Sequence, residues 1–204
     1  MIELVKNNTT NVMNKHFERL KDANIKTTLE DNKLTIMMDQ EIVKYHRNRS
    51  TRFNVMYDPM SKYKRLLENK INDSFKNNNI IINEELLYSP IKVTGYFNNL
   101  PSKSSGSNRQ IGYMLKNVLY RTKTPDIDNF QKTAFDILNK IAWNDDAQII
   151  EVHMYKNYNI NESTKLVIEY IEEENITGRI NAEDIEYFGK RILEKIKMIK
   201  NGMV

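Results

Sequence analysis

The sequence predicts an α/β (α+β) protein in which a mixed β-sheet is flanked by helices. Some segments carry apolar residues at helical spacing and others carry one at every second position, and these two periods are typical of helices and of half-buried strands. The chain has 204 residues, 40% of them hydrophobic, which is enough to bury one core, and no internal repeat divides it. We therefore expect one compact core with additions at its ends.

The first half of the chain predicts two helices and two strands. Residues 9–24 carry the apolar stripe of a short helix, and residues 33–43 alternate weakly, as in a strand. Asp58-Pro59 is a typical helix start, because Asp caps free amides and Pro suits the first helical position. The apolar stripe that follows ends at Asn77, and residues 90–98 alternate strictly, which predicts a strand.

The middle of the chain predicts a loop and the helix on which the functional interpretation rests. Residues 101–108 (PSKSSGSN) are typical of a flexible loop, and residues 109–120 are partly helical in pattern. Residues 126–141 carry apolar side chains at helical spacing, and Asp128 and Gln131 stand in the relation of a capping box.

The last third predicts two strands and a closing helix. Residues 147–156 and 164–171 have strand patterns, and an amphipathic helix covers residues 182–200 behind Asn181.

The charge of the chain is unevenly distributed. Residues 1–125 hold 21 Lys and Arg against 12 Asp and Glu, which gives +9, whereas residues 126–204 hold 10 against 15, which gives −5. The net charge of +4 conceals this division. A basic half beside an acidic half indicates that the protein binds a polyanionic partner through its basic residues and acts on it through acidic residues.

Composition excludes several classes of site. The absence of cysteine excludes disulfides, thiolate metal sites and a cysteine nucleophile, and three scattered histidines argue against a zinc site. Any metal would therefore be bound by carboxylates, which favours Mg²⁺, Mn²⁺ or Ca²⁺. No apolar run approaches the roughly 18 residues of a membrane span, and the N-terminus has no signal-peptide pattern. We expect a cytoplasmic protein without a membrane partner.

A cluster of acidic residues surrounds the predicted 126–141 helix. Asp126 and Asp128 are two residues apart at the N-terminal end of this helix, where the chain is not yet helical, so their side chains can point the same way. Lys132 follows one turn later, and Asp145-Asp146 is expected to return at the head of the next strand, beside the helix start. Clustered carboxylates repel each other unless a divalent cation neutralises them. Bound Mg²⁺ can activate water for phosphodiester hydrolysis, so this pattern is typical of metal-dependent nucleases.

Simpler interpretations of these residues stay open. One Asp can simply cap the helix, and Asp136 with Lys132 can form a surface pair at i,i+4. A sugar-nucleotide site of the Asp-x-Asp type is a further alternative, although no nucleotide-binding half accompanies it. An EF-hand is excluded, because Phe130, Gln131 and Ile137 stand where its Asp or Asn, its Gly and its closing Glu are required.

Residues 121–156 contain a specific set of motifs: Pro125-Asp126-Ile127-Asp128-Asn129-x-x-Lys132, Asp136-x-Leu138-Asn139, Trp143-x-Asp145-Asp146-Ala147-Gln148-Ile149 and the later Lys156. In these motifs the sequence resembles the RusA family of Holliday junction resolvases. A weaker resemblance covers residues 42–100. The proline-rich motif of the family is largely absent, and Lys140 replaces a common glycine, so Asn139 is expected to end the helix.

The resemblance implies a RusA-like fold and a Mg²⁺-dependent endonuclease, with Mn²⁺ as an alternative, that acts as a homodimer on four-way DNA junctions. By position, Asp126, Asp128 and Asp146 match the catalytic carboxylates that bind the metal, and Lys132 matches the catalytic lysine. Asp145 and Asp136 match supporting acidic positions. A two-fold dimer suits a junction that is itself two-fold symmetric. In phages and prophages, such proteins accompany replication and recombination genes.

Basic residues are expected to hold backbone phosphates of branched DNA, and an ordinary solvated surface is the alternative for each. They are Arg47, Arg49, Arg52, Lys62, Lys64, Arg65, Lys103, Arg109, Lys116, Arg121 and Lys123. We expect an N-terminal extension over 1–30, a RusA-like core over 31–172, and a helix over 181–200 on the core or at the dimer interface. The alternative functions are a flap or fork nuclease and a non-catalytic DNA-binding protein of the same fold.

Overall fold

The computed structural model describes residues 2–47, 49–50, 56–102, 104, 106–171, 186 and 189–193. The chain forms two compact units, Met1–Tyr170 and Ile171–Val204. In the second unit, residues 186 and 189–193 are helical, and Lys190 Nζ lies 2.7 Å from Glu186 Oε1. The remainder of the helix predicted at 181–200 lies outside the described residues.

The helices and strands of the first unit alternate irregularly along the chain. Its helices are α1 (Ile2–Asp22), α2 (Ser61–Asn77), α3 (Glu84–Tyr88), α4 (Asn108–Leu115) and α5 (Ile127–Leu138). Its strands are β1 (Ile25–Glu30), β2 (Lys33–Met38), β3 (Arg49–Ser50), β4 (Met56–Tyr57), β5 (Ile91–Asn99), β6 (Ile149–Tyr158) and β7 (Ser163–Tyr170). None of the described helices is long and apolar enough to cross a membrane.

Five strands form one mixed sheet in the order β1-β2-β7-β5-β6, with β3 and β4 in a separate ribbon. β5 and β6 are parallel, and the other neighbours in the five-stranded sheet are antiparallel. One face of this sheet packs against α2 and α5, where Phe97 of β5 stacks on Phe130 of α5 with ring centroids 4.9 Å apart. The predicted mixed sheet with flanking helices is confirmed.

Strand β1 is an element that the sequence pattern did not predict. It pairs with β2 through a tight turn at Asp31 and Asn32, whose φ angles of 47° and 57° suit these residue types in a hairpin. Its central inward residue is Thr27, which is buried and hydrogen-bonds Ser74 of α2 over 2.9 Å. Because this inward position is polar, the hydrophobic alternation of a strand is missing.

The two long helices after α1 begin at different residues from those predicted. α2 begins at Ser61, and Asp58 Oδ1 accepts the Met60 N–H over 2.7 Å just before it. The N-cap of α5 is Asp126, so the capping box predicted for Asp128 and Gln131 is wrong. A capping box does exist at α4, where Ser107, from the predicted flexible loop, pairs with Gln110.

The end of α5 also differs from the expectation. Asn139 has φ −58°, and Lys140 itself adopts the left-handed conformation with φ 68°. The Lys140 N–H donates to the Trp143 carbonyl over 2.7 Å, which stabilises this tight turn. The turn redirects the chain towards the acidic residues at 145–146.

Candidate active site

Helix α5 presents two carboxylates at its N-terminus. Asp126 is the N-cap residue with an extended backbone, and its side chain makes no capping hydrogen bond within the described residues. Asp128 lies in the first turn, and both side chains are exposed. The positive end of the helix dipole favours negative charge at this position. The two acids are therefore accessible to a ligand.

The loop before Asp126 is held by Lys156 at the end of β6. Lys156 Nζ donates to the carbonyls of Lys123, over 2.9 Å, and of Pro125, over 2.7 Å. Burial and the nearby Arg121 charge lower the pKa of Lys156, while the carboxylate of Asp126 acts in the opposite direction. Lys156 thus fixes the backbone from which Asp126 projects and places a cation near that carboxylate.

Lys132 lies one turn after Asp128 on α5, and its ammonium contacts an aromatic ring. Its Nζ lies 4.1 Å from the ring centroid of Tyr45. The backbone N–H of Tyr45 donates to the Asn129 carbonyl over 2.9 Å, which joins the segment before β3 to the first turn of α5. The sequence analysis did not identify Tyr45 as a functional residue. The one signal for it in the sequence is that it is an aromatic residue within a basic segment.

Asp136 pairs with Lys64 of α2, and not with Lys132 as the surface-pair interpretation supposed. Lys64 Nζ lies 2.8 Å from Asp136 Oδ2 and 2.9 Å from Asp58 Oδ2. Burial tends to lower the pKa of Lys64, but the hydrogen bonds and charges of the two carboxylates outweigh it and raise the pKa. Lys64 is therefore occupied by acidic partners, which weighs against its expected contact with phosphate.

Arg121 is also occupied within the fold. Its side chain is only 5% exposed and forms a two-pronged ion pair with Glu41, one prong of which spans 3.0 Å. The guanidinium lies 5.5 Å from the ring centroid of Phe130. These contacts tie residues 121–125 to the segment after β2, so burial weighs against a direct phosphate contact by Arg121.

The other basic residues divide into exposed and undescribed groups. DNA binding stays a prediction for the basic residues whose side chains are exposed, which are Arg47, Lys62, Arg65, Arg109, Lys116 and Lys123. Arg109 also donates from Nε to the Tyr113 hydroxyl over 2.9 Å on the surface of α4. Arg52, Lys103 and the side chain of Arg49 lie outside the described residues.

Asp145 and Asp146 lie in a turn before β6 and have different roles. Asp145 caps the 3₁₀ turn Asp146–Gln148 by accepting the Ala147 N–H over 2.9 Å. Asp146 is exposed, and its Oδ1 accepts the indole N–H of Trp143 over 2.8 Å. Trp143 is fully buried and meets Phe135 edge-on, with ring centroids 5.7 Å apart. Asp146 is thus anchored to the C-terminal half of α5.

The expected return of Asp146 beside the start of α5 does not occur within one chain. Strand β6 begins at Ile149, directly after the turn Asp146–Gln148, and its Lys156 holds the loop before Asp126. Ile149 and Lys156 are seven residues apart along the strand, or roughly 23 Å at the usual rise of a strand. α5 runs in the opposite direction, so Asp126 and Asp146 lie at opposite ends of the same helix–strand pair. Accordingly, the described part of the chain contains no group of three His, Asp or Glu side chains placed to bind a metal.

The donor chemistry of the acids at α5 nevertheless fits a hard divalent cation. Asp126 and Asp128 offer exposed carboxylate oxygens, and among the described residues neither forms an ion pair. One chain therefore brings together two of the three predicted ligands, with Lys156 beside them. The third predicted ligand, Asp146, is not brought to this pair within one chain, because it is anchored through Trp143 at the other end of α5.

Comparison with known proteins agrees with the resemblance noted in the sequence. Residues 36–169 match the family model described as "Endodeoxyribonuclease RusA". This chain belongs to the RusA family. The matched region includes the acids at both ends of α5, Lys132 and Lys156, whereas α1 and β1 precede it.

A curated relative adds a partial match. The chain is 28% identical over 76 residues to the "Uncharacterized protein YqaN" of Bacillus subtilis (strain 168). The match covers 37% of this chain and 54% of that protein, so the chain spans about half the length of the curated relative.

Proposed function

We propose that this RusA-family protein is a Mg²⁺-dependent endodeoxyribonuclease that resolves Holliday junctions, or other branched DNA, in recombination or repair. The observation that carries this proposal is the exposed pair Asp126 and Asp128 at the N-terminus of α5, inside the region matched by the family. A protein that only binds DNA gains nothing from acids beside phosphates, because they repel the backbone.

Each residue near the N-terminus of α5 has a chemical role in this proposal. Asp126 and Asp128 would hold Mg²⁺, or Mn²⁺ as an alternative, and the bound ion supplies an acidified water and neutralises charge on the phosphate. Lys132 would stabilise negative charge that develops on a phosphate oxygen. The exposed basic residues would hold the flanking backbone, with salt-dependent affinity.

The position of β6 supports a homodimer. β6 is an edge strand of ten residues that pairs with β5 on one side. Two of its apolar side chains are exposed, Ile150 by 59% and Val152 by 37%. A long, partly apolar edge strand offers unpaired backbone groups to another strand. We propose that β6 of a second copy pairs here.

Antiparallel pairing of two β6 strands would also complete the acidic site. Around a two-fold axis, the start of one β6 lies beside the end of the other. The partner subunit's Asp146 would then approach Asp126, Asp128 and Lys156. Each dimer would contain two such shared sites, as paired cuts in a symmetric junction require.

The activity is tested with synthetic DNA. Purified protein with Mg²⁺ should nick a four-way junction, and Asp128→Asn should bind the junction without cutting it. Asp73→Asn is the matched control, because Asp73 is an exposed acid on α2 outside the site. If Asp126→Asn and Asp128→Asn both cleave at the wild-type rate, the site assignment is wrong. Relative rates on four-way junctions, forks and flaps identify the preferred substrate.

A further inference from the structure

The ring of Tyr45 lies beside two lysines from different helices. Lys132 Nζ of α5 is 4.1 Å from the ring centroid, and Lys64 Nζ of α2 is 5.5 Å from it. Tyr45 is half-buried and packs against the hydrophobic core, so its ring is a fixed surface. Lys132, in contrast, is exposed at its position on α5.

The backbone around Tyr45 fixes the ring relative to the acidic end of α5. The Tyr45 N–H donates to the Asn129 carbonyl over 2.9 Å, and Asn129 directly follows Asp128. Lys64 is held on its other side by Asp58 and Asp136, at 2.9 and 2.8 Å. The two lysines therefore differ: carboxylates hold the Lys64 ammonium, whereas the ring is the contact that the structure records for the Lys132 ammonium.

We propose that Tyr45 is a positioning residue that holds the Lys132 ammonium towards the DNA phosphate that is to be cleaved at the site formed by Asp126 and Asp128. An exposed lysine samples many rotamers, and the electron-rich face of an aromatic ring attracts its ammonium without neutralising its charge. A carboxylate in the same place would neutralise that charge and compete with phosphate. The proposal rests on the function proposed above, because it assumes that Lys132 acts in cleavage.

Cleavage by Tyr45 variants tests the positioning role. Tyr45→Leu removes the ring and should slow single-turnover cleavage of a four-way junction by roughly 5- to 20-fold, the range expected for a cation–π contact. The Kd for the junction without divalent cation should change by less than about twofold, since the charge of Lys132 remains. Tyr45→Phe keeps the ring and should retain the wild-type rate. Phe17→Leu is the matched control, because it removes the cation–π contact of Phe17 with Lys21 on α1, outside the region matched by the family.

A spectroscopic measurement tests the contact without reference to activity. In protein labelled with ¹³C at the lysine ε carbon, the ε protons of Lys132 should be shifted upfield by the ring current of Tyr45. Lys132→Arg identifies the signal, and Tyr45→Leu should abolish the shift while Tyr45→Phe preserves it. This measurement stands even if Tyr45→Leu folds poorly, because the wild-type and Tyr45→Phe proteins suffice to establish the shift.

The outcomes separate this inference from the function on which it rests. If wild-type protein does not cleave any branched DNA with Mg²⁺, the proposed function fails, and the spectra still report on the ring contact. If wild-type protein cleaves and folded Tyr45→Leu cleaves equally fast, the positioning role is overturned. It is equally overturned if Tyr45→Leu slows a Lys132→Ala protein as much as it slows the wild type, since the ring would then act independently of the lysine.

Discussion

The loop that carries Asp126 depends on a side chain from strand β6. Lys156 donates two hydrogen bonds to the carbonyls of Lys123 and Pro125, and these residues precede the acid directly. The same ammonium lies close enough to Asp126 for the carboxylate to oppose the fall in its pKa. Lys156 therefore combines a structural role in the loop with an electrostatic role at the candidate metal site.

Lys156→Met should weaken both of these roles. Two carbonyls lose their donor, so we expect the free energy of unfolding to fall by about 1–2 kcal/mol in urea titrations. Cleavage of a four-way junction should fall more than tenfold, because the backbone that carries Asp126 loses its anchor. Lys156→Arg keeps the positive charge and should retain more activity. Wild-type cleavage by Lys156→Met would show that the anchor is dispensable.

Two irregular segments meet at the ion pair between Arg121 and Glu41. One segment follows β2 and contains Tyr45, and the other leads into α5 and Asp126. The pair is buried, with side-chain exposures of 5% and 11%, and Glu41 Oε2 also accepts the amide of Asn99 over 2.7 Å. Loops that carry functional residues require such fixed contacts, because they lack the hydrogen-bond ladders of strands and helices. We interpret Arg121 as part of this scaffold.

Removal of one partner of the pair should be costly. Arg121→Met leaves Glu41 buried without its cation, so we expect a loss of about 3 kcal/mol in the free energy of unfolding. The double variant Arg121→Met with Glu41→Leu should be more stable than Arg121→Met alone, as chemical denaturation can measure. If Arg121 instead contacts phosphate, Arg121→Met will retain its stability and reduce the salt dependence of DNA binding.

At the scale of the whole molecule, the opposed directions of α5 and β6 decide the architecture of the site. The helix carries Asp126 and Asp128 at one end, and the strand begins beside Asp146 at the other. A single chain is therefore expected to be inactive, and the shared site would form only when two β6 edges pair.

Mixing two inactive variants tests this shared site. Asp126→Asn and Asp146→Asn should each abolish cleavage as homodimers. In a mixed dimer, one site combines the intact Asp146 of the first chain with the intact Asp126 of the second, so nicking should return after subunit exchange. The mixed dimer should make single nicks and few paired cuts. If mixing restores no activity, the acids do not combine across an interface.

The positions that could be predicted are those whose signal is local. The periods of α2, β5 and α5, and the placing of Asp126, Asp128 and Lys132 on one helix, follow from spacing along a few turns. β1 was missed because Thr27, buried against Ser74, carries no apolar signal. The predicted capping box failed because Asp126 and Asp128 are both acceptable caps, and their spacing alone does not distinguish them.

The sequence by itself therefore determined the fold class and the family, and it placed Asp126 and Asp128 at the start of α5, since residue types and short spacings carry this information. Only the tertiary structure decided which charges are free. Lys64 is bound to Asp136 across 72 positions, and Arg121 to Glu41 across 80. It also placed Asp146 at the far end of α5. Contacts between distant segments depend on the direction in which elements pack, and the periodicity of each element contains no record of that direction.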